Sequence, residues 1–83
     1  NSAATVGTSA ALLVASPLAN RNKIIIQNNG IAPIYIGTSG VTTANGIKIA
    51  GGANAELNLN ASAAVYARCA AGTVDCRILE SAY

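Results

Sequence analysis

The stretch Lys23-Ile24-Ile25-Ile26-Gln27-Asn28-Asn29-Gly30-Ile31-Ala32-Pro33-Ile34-Tyr35-Ile36-Gly37 decides the fold class. Its first part is dominated by isoleucine, whose β-branched side chain suits a pleated strand better than a helix. Asn28-Asn29-Gly30 then supplies turn chemistry. Ile34 and Ile36 fall on one side of the next run and Tyr35 on the other, a period of two. Two strands joined by a short loop are expected. With Asn29-Gly30-Ile31 as the loop, Ile26 faces Ile34, Ile24 faces Ile36, and Ile25 faces Tyr35 on the opposite side. A tighter Asn29-Gly30 turn would set Ile36 against Lys23 and mix core with surface, so the longer loop is preferred.

The same alternation recurs outward from this stretch. Ala11–Ala15 is a short apolar run closed by Ser16-Pro17. Gly46–Ala50 sets Ile47 and Ile49 against Lys48, and Ala55–Asn60 sets Leu57 and Leu59 against Glu56, Asn58 and Asn60. Ala64–Cys69 sets Val65, Ala67 and Cys69 against Tyr66 and Arg68. Val74–Glu80 sets Val74, Cys76 and Ile78 against Asp75, Arg77 and Leu79. Turn residues separate nearly every pair of runs, and no window sustains a helical period. About seven short strands at this spacing imply an all-β fold, a small antiparallel β-sandwich or a jelly-roll-like barrel. One domain is expected over residues 11–83, preceded by a flexible arm over residues 1–10, which are small and polar. A length of 83 residues leaves no room for a second core.

Composition excludes whole classes of function. The chain has no His, Met, Trp or Phe, and only five basic and three acidic side chains. The net charge of +2 is spread along the sequence without a basic run, which argues against nucleic acid as a partner. The longest apolar stretch, Ala10 to Ala15, is far short of the ~20 residues of a membrane-spanning helix, so no membrane partner is expected. The carboxylates Glu56, Asp75 and Glu80 show no sequence sign of convergence, and Gly37-Thr38-Ser39-Gly40 lacks the lysine of a phosphate loop. No enzyme activity and no cofactor are expected.

Cys69 and Cys76 are the only candidates for covalent chemistry. Both fall on the inward set, and two readings stay open: a pair of small buried apolar side chains, or a cross-strand disulfide. A four-residue loop Ala70–Thr73 pairs Arg68 with Asp75, whereas a Gly72-Thr73 turn pairs Cys69 with Cys76 and sets Arg68 against Arg77. Two thiols without His form an incomplete metal set. Asn60-Ala61-Ser62 fits the N-glycosylation pattern, which has meaning only in a eukaryotic secretory pathway. Ile25, Tyr35 and Tyr66 are apolar residues expected to point away from the core, either as scattered exposure or as an oligomer interface.

From Ala11 to Glu80 the order of motifs resembles a family of small virion proteins of tailed bacteriophages. The resemblance runs through A-L-L-V-A, Arg21 before K-I-I-I-Q-N, then N-N-G, P-I-Y-I-G, V-T-T-A-N-G-I-K-I and G-G. It closes with A-V-Y-A-R-C-A-A-G-T-V-D-C-R-I-L-E. It implies a compact β-sandwich on the capsid surface of the virion. Such a domain decorates or cements the shell by binding the major capsid protein, commonly as a homotrimer. Ile25, Tyr35 and Tyr66 are then expected at the subunit contact. Related sandwiches serve as fibre tips or knobs that recognise a host glycan. The cysteine pair is not part of this pattern. Because charges are few and spread out, contact with a shell is expected to be mainly apolar and insensitive to salt.

Overall fold

The described residues build eight strands, the longer ones from alternating branched apolar and polar side chains: β1 (Ser2–Val6), β2 (Ala11–Leu12), β3 (Lys23–Asn28), β4 (Ile34–Gly37), β5 (Ile47–Ile49), β6 (Asn54–Leu57), β7 (Tyr66–Arg68) and β8 (Val74–Ser81). The computed structural model describes residues 2–14, 18–60 and 62–81. The strands form two four-stranded antiparallel sheets, ordered β1-β8-β3-β6 and β2-β7-β4-β5. We term them the β8 sheet and the β4 sheet. Their inward residues join in one core: Val6, Ile24, Ile26, Val74, Cys76 and Ile78 from the first, and Ile34, Ile36, Ile49 and Ala67 from the second. Each large aliphatic side chain so buried contributes roughly 1.5–3 kcal/mol. The molecule is the small all-β sandwich that the alternation implies, with two open sheets.

The boundaries of β3 and β4 are those read from sequence, but their pairing is not. β3 pairs with β8 and β6, whereas β4 pairs with β5 and β7. The expected hairpin is an arch that carries the chain from one sheet to the other. Ile24 and Ile26 therefore meet Ile34 and Ile36 through the shared interior rather than along a ladder. Both arrangements bury the same four isoleucines, so the apolar pattern alone does not separate them. The expected β7–β8 hairpin is corrected in the same way, since those strands also lie in different sheets. Asp75 takes Arg77 as its cation, at 3.0 Å, rather than Arg68. Among the described strands only β4 and β5 are both consecutive in sequence and paired.

Part of the expected N-terminal arm is a strand. Ser2–Val6 pairs with β8 in a register running from Ser2 opposite Ile78 to Val6 opposite Val74. Pairing satisfies backbone groups along one side of β8 that a flexible arm would leave to water. Val6, 4% exposed, anchors the strand in the core.

Two polar clasps hold opposite ends of the sandwich. Asn28, fully buried, is the last residue of β3 and points inward with Ile24 and Ile26. Its Nδ2 donates to the carbonyls of Ala32 (2.8 Å) and Ile49 (3.0 Å), and its Oδ1 accepts from the Gly30 amide (2.9 Å). It thereby ties β3 to β5 across the two sheets. At the other end Arg21, 2% exposed, places Nη1 3.0 Å from Glu80 Oε2. Its Nη2 donates to the carbonyls of Asn60 and Ala63, both at 2.7 Å, and its Nε to that of Leu59 at 3.3 Å. Asn20, at φ 59°, adopts the left-handed conformation that Asn tolerates, and so turns the chain into Arg21.

Candidate interaction surfaces

Strand register writes the outer face of the β4 sheet as two rows. In one, Tyr66 lies between Leu12 and Gly37. In the other, Tyr35 lies between Lys48 and Arg68. Both tyrosines are half-buried, Lys48 is exposed, and Leu12 is 45% exposed. Arg68 is half-buried, and its Nε is buried without a hydrogen-bond partner. The structure therefore brings two of the three expected interface residues together.

Ile25 is elsewhere. It lies on the outer face of the β8 sheet, opposite Leu79 on one side and Glu56 on the other. It cannot share a continuous patch with Tyr35 and Tyr66, because the whole sandwich separates them. Ile25, Gln27, Asn54, Arg77 and Leu79 line a shallow groove there, of about 550 Å³.

Charges that are spread along the sequence are sorted in space. All three carboxylates are used around the β8 sheet: Lys23 with Glu56 at 2.8 Å, Arg77 with Asp75 at 3.0 Å, and Arg21 with Glu80 at 3.0 Å. Asn29 Nδ2 and the Arg77 guanidinium together hold the Asp75 carboxyl below its ordinary range. Five basic side chains less these three leaves two, Lys48 and Arg68, and that difference equals the net charge of +2. Neither meets a carboxylate among the described residues, and both stand on the outer face of the β4 sheet.

Cys69 and Cys76 are free thiols, and both are fully buried. They do not sit across a hairpin ladder. Cys76 lies on β8 opposite Ala4 and Asn28. Cys69 follows β7, with its Sγ 3.5 Å from the Val6 carbonyl oxygen and 3.4 Å from that of Gly72. Burial pushes the Cys76 thiol up to about 11, with the negative charge of Asp75 and then Cys69 adding to the effect. A thiol held protonated in this way is a poor nucleophile. Asn60 of the glycosylation pattern is exposed, and its Oδ1 accepts from the Ser62 hydroxyl at 2.6 Å; Ala61 lies outside the described residues. Among the described residues no three His, Cys, Asp or Glu side chains come together.

Sequence reasoning left Arg21 and Asn28 without a structural role. Alternation along β3 and β8 does place Asn28 and Glu80 on the inward set, and an inward polar residue at a strand end signals a clasp. Nothing comparable marks Arg21, which precedes its strand among polar neighbours. No family model, curated protein or solved structure matches the chain.

Proposed function

We propose that this domain is a structural virion protein of the tailed-bacteriophage type, which decorates or cements the assembled capsid. The outer face of the β4 sheet carries the reading. It combines half-buried tyrosines, an exposed leucine and two unmatched cations on a clasped two-sheet scaffold. Protein interfaces are enriched in tyrosine and arginine. A protein that binds the assembled shell and not its free subunits stabilises the shell by mass action at every site. In this reading the domain is a homotrimer, built through the outer face of the β8 sheet around Ile25 and Leu79. That face has its charges already paired within one chain, so copies approach without like-charge repulsion. The β4 sheet is left for the major capsid protein.

The test is co-sedimentation of purified protein with undecorated shells, with free coat subunits as the comparison. Binding to shells alone supports the reading. Sedimentation velocity of the isolated protein then tests the trimer, which Ile25→Asp should dissociate and Tyr35→Asp should leave intact.

The groove on the β8 sheet favours one alternative. Gln27, Asn54 and Arg77 offer side-chain hydrogen-bond donors in a concave setting, as a fibre-tip module for a host glycan requires. Binding to host glycans without binding to shells would select it.

A further inference from the structure

We propose that the outer face of the β4 sheet recognises an acidic polypeptide surface, with Lys48 and Arg68 each taking a carboxylate, Tyr35 packing between them and Tyr66 packing from the neighbouring row. This deepens the docking reading above and rests on its assignment of that face. It does not depend on the partner being a shell.

Charge complementarity selects the occupant. The two cations left over after internal pairing both stand here, on either side of Tyr35. Arg68 Nε is withdrawn from water without an acceptor, a state that costs free energy until a partner supplies one. A guanidinium presents a planar fork that matches a carboxylate. A second copy of the chain does not fit. Face-to-face contact would gather four cations, and every carboxylate of the copy is already paired on its β8 sheet.

Polyphosphate partners fit less well. Two cations neutralise about two phosphates, well below the six to ten contacts that give strong salt-dependent DNA binding. Anionic membranes are recognised by clusters of roughly four to eight basic residues. Tyrosine and arginine on one sheet face are instead the composition of a protein hot spot. On the same ground this proposal differs from the expectation of salt-insensitive contact, because the unmatched charge is concentrated on the face it assigns to docking.

The probe is poly-L-glutamate, added to isotope-labelled protein and followed by amide chemical shifts. A short DNA duplex and phosphatidylserine vesicles form the comparison arms. Shifts confined to β4, β5 and β7, weakening as salt is raised, are expected. Lys48→Gln, an exposed change that leaves the fold intact, should weaken binding by about threefold. Lys48→Gln with Arg68→Gln should weaken it by about tenfold, since exposed pairs contribute up to about 1 kcal/mol each. Lys23→Gln, on the other sheet, should change it by less than about twofold. No binding, shifts on the β8 sheet, or tighter binding to DNA or vesicles would overturn the proposal. The same variants are then mixed with undecorated shells. Shell binding unaffected by the double variant overturns the acidic partner and leaves decoration standing. Poly-glutamate binding without shell binding does the reverse.

Discussion

Replacing Arg21 by Met tests whether the clasp at the Glu80 end holds the sandwich together. The substitution keeps an unbranched side chain of similar reach and removes every donor. Glu80 loses its cation at 3.0 Å, and the carbonyls of Leu59, Asn60 and Ala63 lose theirs. Breaking one side of a buried ion pair costs about 3–5 kcal/mol. Stranded carbonyls each add about 1–3 kcal/mol where water cannot reach them. Asn60 is exposed and Leu59 and Ala63 are only half-buried, so water takes over that duty, and the ion-pair cost of about 3–5 kcal/mol is the expected total. A domain of 83 residues has on the order of 4–12 kcal/mol to lose. The assay is urea unfolding followed by far-ultraviolet circular dichroism, because the chain has no Trp. With a slope near 1 kcal/mol per molar urea, the midpoint should fall by about 3 M or more. Lys23→Met, which breaks the more exposed pair with Glu56, should cost no more than about 1 kcal/mol. Adding Glu80→Leu to Arg21→Met should restore part of the loss, because no uncompensated charge then remains. A cost below about 1 kcal/mol for Arg21→Met would refute the clasp.

Three further outcomes follow from the packing. Asn28→Leu should destabilise by about 2–4 kcal/mol in the same assay, since the carbonyls of Ala32 and Ile49 and the Gly30 amide lose their partners. Gly51→Ala should destabilise sharply, because a Cβ there would collide with the Ile31 carbonyl, whereas Gly40→Ala meets nothing within 4 Å and should be neutral or stabilise by up to about 1 kcal/mol. Cys76 titrates near 11 in the fold against 9.0 ordinarily, so the unfolded chain releases this proton first as pH rises. Its contribution is fully present below pH 9 and is lost between about 9 and 11, amounting to roughly 2–3 kcal/mol. Stability measured across that range in wild type and Cys76→Ala should differ in slope, and parallel curves would count against it.

The strands were legible in the sequence because a half-buried sheet imposes a period of two wherever branched side chains are available. β3 and β4 carry that signal in full. Pairing was less legible, since sequence proximity suggested hairpins and the same inward isoleucines suit a ladder or an arch equally well. β1 was missed because Ser2, Ala3 and Ala4 are too small to advertise a strand; its identity comes from the partner, β8. The expected interface residues divide between the two sheets. Tyr35 and Tyr66 share a face, but Ile25 is outward on the other sheet, and sequence alone does not say which outward face belongs to which sheet. The concentration of unmatched charge was invisible for a related reason. Lys48 and Arg68 are far apart in the chain, and only the β5-β4-β7 register sets them on either side of Tyr35.

The order β1-β8-β3-β6 also bears on how the chain is made. β8 is the last of the described strands in sequence, yet it lies between β1 and β3 and pairs with both. While a ribosome is still translating the earlier strands, β1 has no neighbour and β3 has only β6. The core residues Ile24 and Ile26 then lack the cover of Ile78. Folding must therefore wait until β8 has left the exit tunnel. It proceeds by long-range strand pairing, which places it in the slow, millisecond-to-second class of small β domains. Until then the nascent chain presents unpaired, isoleucine-rich strand edges, the kind of surface on which growing chains of neighbouring ribosomes can associate.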